Sequence, residues 1–249
     1  MEEVRPMDPQ SRARLAQVAV LCILGAGLFA AASARAATFT NTTPIVIPAV
    51  SDAAPYPSPI TVSGVPGPIT DVNVKLNGYS HTSPSDIGVV LVAPGGQALM
   101  IDNGGGNNST AAVNLNLTVD DSAAAQFPNG AALTSGSFRP SNYFAGSFFG
   151  PPGPGTTYAS PASVGTATLA STFNGLAADG TWNLFVKDFV GPINSGQFAG
   201  GWALEISPDT STTIPPATTP PATAPAKKKC KKRKRHSAAA SKKCKKKKH

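Results

Sequence analysis

Between residues 37 and 209 the chain has no cysteine, one histidine (His81) and only three cations, Lys75, Arg139 and Lys187. The missing cysteine excludes a disulfide framework for this segment, so its stability must come from an apolar core. A lone histidine excludes a zinc-binding histidine pair and leaves one candidate general base for a Ser-His-Asp site. Catalytic motifs are missing too. No serine sits in a Gly-x-Ser-x-Gly elbow or in the Gly-Thr-Ser-Met-Ala setting of a subtilisin nucleophile. The glycine runs NGGGNN and GPPGPG lack the lysine and the following helix of a phosphate-binding loop. The adjacent carboxylates of Asp120 and Asp121 would point to opposite faces of a strand and would not flank one bond. These absences predict a chain that is not an enzyme, with no catalytic residue to assign.

Charge is distributed in blocks. The three cations of residues 37–209 face ten acids, a net of −7, while 14 of the chain's 21 Lys and Arg lie at or beyond Lys227. The overall +8 therefore describes no single part of the molecule.

The only long apolar run, Leu15 to Ala32, follows Arg5, Arg12 and Arg14 and precedes Ala34-Arg35-Ala36. That order is the positive region, apolar region and small-x-small cleavage site of a signal peptide, so residues 1–36 read as an export leader and Ala37 as the mature start. A transmembrane anchor is the competing reading, since the run approaches the roughly 20 residues that span a bilayer. Cys22 lies in this leader, without the small residues before it that a lipoprotein site needs.

At the other end, residues 208–226 are nearly all Pro, Thr, Ala and Ser, the composition of an extended linker. The basic block of residues 227–249 follows, with Lys227, Lys228, Lys229, Lys231, Lys232, Arg233, Lys234 and Arg235 in one run and Lys245, Lys246, Lys247 and Lys248 in another. Such a tail repels itself, stays solvated and disordered, and attracts polyanions within about 8 Å at physiological salt. For an exported chain the expected partners are an anionic cell-wall polymer or a lipid surface. No aromatic residue interleaves the lysines, so no specific nucleic acid is expected. Cys230 and Cys244 could close a disulfide loop in the tail or cross-link chains. The expected location is secreted, extracellular or associated with the cell envelope.

The remaining segment, 38–207, reads as one all-β domain. Turn residues recur every 8 to 15 positions, and no window carries helical periodicity for three turns. Strands are expected at Ile69–Tyr79, Ile87–Ala93, Gln97–Ile101, Val113–Val119, Thr181–Phe189 and Phe198–Ile206, with further pairing near Pro44–Val50 and Ile60–Ser63. In the first of these Val72, Val74 and Leu76 alternate with polar residues, giving one buried face. IGVVLVA is apolar on both faces and should lie mid-sheet with a cover over its outer side. Trp182, Leu184 and Val186 form another inward row, as do Trp202, Leu204 and Ile206.

Several elements also carry a resemblance in common order. They are His81-Thr82 at a strand end, Asp86 leading the buried strand and its Ala93-Pro94-Gly95-Gly96 turn, Asp120-Asp121-Ser122-Ala123, Gly136-Ser137-Phe138-Arg139-Pro140, Phe173-Asn174-Gly175 and Gly180-Thr181-Trp182. Together they resemble the P domain, or P/Homo B domain, of subtilisin-like proprotein convertases. The resemblance implies a jelly-roll β-sandwich of the galactose-binding-like type, a module that follows a serine protease domain and stabilises it or positions its substrate. This chain departs from that pattern in lacking the protease residues, in a Gly/Pro-rich insert within 141–170, and in Ser83 where an aromatic commonly follows His-Thr. The partner so implied is a subtilisin-like protease encoded separately.

Some P domains bind calcium, and Asp86, Asp102, Asp120, Asp121 and Asp188 fall at expected strand ends or turns, where carboxylates and carbonyls can supply its 6 to 8 oxygen ligands. Asp179 is similarly placed. The competing reading is that turn aspartates close Asx turns. By analogy with galactose-binding sandwiches, Tyr143, Phe144, Phe148, Phe149 and Tyr158 are candidate carbohydrate contacts, and the alternative is that they tuck the insert back onto the sheet.

Overall fold

A computed structural model describes residues 35–210. The leader to residue 34, the linker beyond Thr210 and the basic tail with Cys230 and Cys244 lie outside the described residues. The described chain is all-β, two sheets packed as a sandwich.

The first sheet is built around β4 (Ile69–His81), whose alternating pattern buries Val72, Val74 and Leu76. Along one edge β4 pairs with β11 (Gly196–Phe198) and β12 (Trp202–Pro208), and along the other with β7 (Ala112–Val119). Outside these lie β1 (Ala37–Asn41) beside β12, β2 (Ile45–Ile47) beside β11 and β8 (Gly136–Phe138) parallel to β7. The second sheet runs β3 (Ser58–Val62), β10 (Gly180–Asp188), β5 (Ile87–Val92), β6 (Ala98–Asn103) and β9 (Ser141–Asn142). One short helix, α1 (Leu169–Phe173), buries Leu169 and Phe173 under the sandwich.

The core forms where the inward rows meet. Trp182 of β10 and Trp202 of β12 are fully buried, one from each sheet. Burial of an indole leaves its N–H to be satisfied, and the two rings do this differently. Trp202 donates to Ser58 Oγ of the opposite sheet at 3.1 Å, while Trp182 donates to the Ala178 carbonyl at 2.9 Å.

One expected strand divides. Phe198–Ile206 becomes β11 and β12, separated at Ala199–Gly201, because Gly201 takes a positive φ of 64° and packs against the Asn41 and Thr43 carbonyls. The left-handed conformation needs glycine, and it steps the chain from β2's side of the sheet to β1's. Strands β1, β8, β9 and helix α1 carry no expectation from sequence. The helix is too short for periodicity to reveal it, and its Thr168–Ser171 capping box is the feature that fixes it.

The outer cover expected for IGVVLVA is present. Ile87, Val89 and Leu91 face the main core, and Val90 faces a second cluster with Met100, Phe185 and Phe149. Phe149 comes from the 141–170 segment and meets Tyr158 and Phe189 edge-on at 6.0 and 5.5 Å. Tyr158 and Tyr56 close the cluster, their hydroxyls donating to the carbonyls of Ser147 and Gly150. The insert is thus a third layer over the second sheet.

This assigns unequal weights to neighbouring phenylalanines. Phe149→Ala, at a fully buried ring, should lower unfolding free energy by about 3 to 5 kcal/mol. Phe148, 54% exposed, should tolerate alanine with a change within about 0.5 kcal/mol, both read by urea denaturation.

Candidate functional site

β4 ends at His81, β5 begins after a 3-10 turn (Pro84–Asp86), β10 ends at Asp188 and β11 begins at Gly196, all at one end of the sandwich. His81 can approach β11 closely because Gly196 has no side chain; a Cβ there would collide with the Ser80 carbonyl and the His81 ring. The imidazole is buried. Its Nδ1 lies 2.8 Å from the Ser83 carbonyl, and its Nε2 lies 3.4 Å from Asp188 Oδ2, also buried. Asp188 Oδ1 accepts the Val190 N–H at 2.9 Å.

The polar groups around this pair tie the strand ends together. Asn194 donates to Asp86 Oδ2 at 2.7 Å and accepts from the Thr82 hydroxyl at 3.3 Å. The Ser195 N–H donates to Thr82 Oγ1, and the Thr82 N–H donates to the Ser195 carbonyl, each at 3.2 Å. The Phe189 N–H donates to the Asp86 carbonyl at 2.8 Å. Tyr79 lies beside the cluster with its hydroxyl buried and without a hydrogen-bond partner, as is Ser83 Oγ. Burial raises the Tyr79 phenol above its ordinary range, and the charges of Asp102, Asp188 and Asp86 act in the same direction.

The geometry differs from a hydrolytic triad. A serine nucleophile must present its hydroxyl to one ring nitrogen while an acid holds the other. Here it is the backbone of Ser83, not its hydroxyl, that meets the imidazole, and Ser83 itself is buried. A shallow groove of about 330 Å³ opens nearby, lined by Ser80, Thr82, Val113, Ser195 and Gln197, and it passes over buried His81.

The five candidate calcium ligands do not converge. Asp86 and Asp188 belong to the strand-end cluster. Asp102 is buried, accepting the Gly105 N–H at 3.1 Å. Asp120 closes an Asx turn on the Ser122 N–H at 2.7 Å, and both oxygens of Asp121 accept the Leu169 and Ala170 N–H groups that open α1, at 3.1 and 2.8 Å. Asp179 likewise takes the Gly64 and Val65 N–H groups. Among the described residues no three His, Cys, Asp or Glu side chains form a metal-binding group. Acids that do not gather into one group do not assemble the 6 to 8 oxygens of a calcium sphere among the described residues, so melting curves in calcium and in chelator should coincide.

The five insert aromatics do not form one platform either. Phe149, Tyr143 and Tyr158 turn inward, Tyr143 donating to the Phe127 carbonyl, and only Phe144 and Phe148 are exposed. Sequence reading missed the pairing of His81 with Asp188 and the parts played by Tyr79, Ser83 and Asn194. No local signal could have joined residues more than a hundred positions apart. Comparison with family models, with curated proteins and with solved structures returns no match.

Buried acids make stability depend on pH. Desolvation raises the Asp102 carboxyl from 3.8 to about 8, against the opposing N–H bonds of Gly105 and Asn103. Asp188 is also raised, chiefly by burial and partly countered by the Val190 N–H and by His81. Asp71 is raised by burial and by the nearby charges of Asp120 and Asp121. A carboxyl raised in the folded state holds a proton that the unfolded chain releases, so its stabilising effect is full below the ordinary carboxylate range and is lost as pH rises through the folded value. The thermal midpoint should therefore fall from pH about 5 toward pH about 9, and Asp102→Asn should flatten that dependence.

Proposed function

We propose that this chain is an exported, non-catalytic P-domain-like module, a jelly-roll accessory or binding unit held on an anionic cell-envelope polymer by its basic tail. The observation that carries the reading is the segregation of charge. Fourteen cations lie in residues 227–249 while the 37–209 body is net −7. Two of the body's three cations are already engaged, Lys75 with Glu205 at 2.6 Å and Lys187 with Asp52 at 3.3 Å. Attraction to a polyanion therefore falls to the tail, and a lysine-rich tail supplies it without sequence or shape requirements. Burial of the His81 ring, with Nδ1 engaged by the Ser83 backbone and Nε2 turned toward buried Asp188, supports a binding rather than a hydrolytic role.

A second reading, an accessory domain of a separately encoded subtilisin-like serine endopeptidase, rests on the resemblance of the ordered elements. Of these, His81-Thr82 and Asp86, close in sequence, are joined through Asn194 at one end of the sandwich. In that reading the module adds stability or substrate capture to the enzyme.

The test compares the full chain with a form in which the Lys and Arg residues of 227–248 are replaced by serine. The native tail should retain the protein on cells and release it progressively with salt, because counterions displace Lys and Arg from a polyanion. Equal retention of both forms, or retention unmoved by salt, overturns the envelope reading; co-purification with a protease independent of the tail supports the second.

A further inference from the structure

Asparagine followed by glycine is the dipeptide most prone to deamidation, since nothing on the glycine shields its nitrogen from the preceding carboxamide. The chain has four such pairs, Asn77-Gly78, Asn103-Gly104, Asn129-Gly130 and Asn174-Gly175. Thermolabile asparagines of this kind limit the lifetime of a protein. The reaction starts when the glycine backbone nitrogen attacks the asparagine Cγ. A hydrogen bond from that N–H holds the nitrogen in place and opposes the attack.

In all four pairs the N–H is held. Gly104 donates to the Ile87 carbonyl at 3.2 Å, Gly130 to the Gly106 carbonyl at 2.8 Å and Gly175 to the Ile69 carbonyl at 2.8 Å. Gly78 alone donates to a side chain, Asn116 Oδ1, at 3.0 Å. The Ile87 and Ile69 carbonyls belong to strands and the Gly106 carbonyl to a two-sided backbone bridge, so none is released by rotating a side chain. An exposed side chain such as Asn116 can rotate away while the sheet stays intact. The carboxamides differ as well. Asn103 Nδ2 is fixed on Asn142 Oδ1, the Phe144 carbonyl and Ser147 Oγ, and Asn174 Nδ2 on the Thr70 carbonyl. Asn77 has no such side-chain bond, and Asn129, which also lacks one, lies next to a two-sided backbone bridge: Gly106 donates to Pro128 at 2.7 Å, and Gly130 to Gly106.

We propose that Asn77 is the deamidation site of this fold and that the Asn116 side chain guards it. When Asn116 swings aside, the Gly78 nitrogen forms a bond to Asn77 Cγ and the Cγ–Nδ2 bond breaks, releasing ammonia that carries away the Gly78 proton. Water then opens the resulting succinimide at either carbonyl, leaving aspartate or isoaspartate. Isoaspartate adds a methylene to the main chain of β4 at the point where its pairing with β7 already shifts register and where β11 gives way to β12. The Asn77 N–H donates to the Gly201 carbonyl and its carbonyl accepts from Gly200, both at 3.0 Å, at the junction between β11 and β12. Chemical ageing at one residue would therefore separate the partners that β4 holds together.

The full-length protein and its Asn116→Ala and Asn116→Asp variants are incubated at mildly alkaline pH, with parallel samples in concentrated urea. Deamidation at each asparagine is located by mass spectrometry with fragmentation that distinguishes isoaspartate. In the folded native chain Asn77 should convert faster than Asn103, Asn129 and Asn174, and all four more slowly than in urea. Asn116→Ala should accelerate Asn77 alone by about fivefold, the population shift expected from losing one neutral hydrogen bond. Asn116→Asp, which keeps an acceptor oxygen, should restore the slow rate. An unchanged Asn77 rate in folded Asn116→Ala overturns the proposal. If that variant does not fold, the native ranking decides, and a folded chain in which another of the four converts first overturns it.

Discussion

Burial of β5 on both faces is the constraint on which the rest of the architecture depends. Ile87, Val89 and Leu91 cannot be exposed, so a second sheet must lie over them, and β4, β11 and β12 supply it with the Trp202 row. Val90, Met100 and Phe185 cannot be exposed either, and an isolated strand pair has no further sheet to offer. The 141–170 segment meets that need with Phe149 and Tyr158, which makes a Gly/Pro-rich insert a structural layer. Its glycines and prolines shape the turns that return the two rings to the sheet; the Tyr158 hydroxyl is satisfied by the Ser147 carbonyl of the same segment.

Polar chemistry is concentrated at one end of this sandwich and directed inward. A buried carboxylate or imidazole is costly unless it finds a partner, and the cluster supplies some of these from the adjoining turns, the Ser83 backbone for His81 and the Val190 N–H for Asp188, while the Tyr79 hydroxyl, His81 Nε2 and Asp188 Oδ2 stay buried without a hydrogen bond. His81 and Asp188 face each other, and Asp86 is held by Asn194. The cluster fixes where four strands begin or end, a scaffold task that withdraws the body's sole histidine from the surface. The surface chemistry that remains is the acidity of the body and, along the sequence, the cationic block that follows it.

Much of this was legible in the residues. Strict alternation marked β4 and β10, because a half-buried strand must alternate. Continuous apolar sequence marked β5 and its need for a cover. The Phe198–Ile206 run read as one strand because periodicity does not register a glycine that changes register at position 201. Helix α1 was invisible since a turn and a half cannot show a period, and β8 and β9 because two or three residues carry no pattern. The aspartates illustrate the limit most directly. An Asx turn at Asp120 is a local matter and was foreseeable, whereas the caps that Asp121 places on Leu169 and Ala170 join segments nearly fifty positions apart.

What the sequence determined by itself is the set of properties that depend on neighbours along the chain: an all-β body without disulfides, its inward tryptophan rows, the turns that punctuate it, and the division of charge between an acidic domain and a basic tail. Tertiary structure alone decided which residues distant in sequence would meet. Pairing of His81 with Asp188, the insert as a third layer and the Asn116 bond to Gly78 follow from strand register and sheet stacking, which sum many weak contacts across the whole domain and leave no trace in any short stretch of residues.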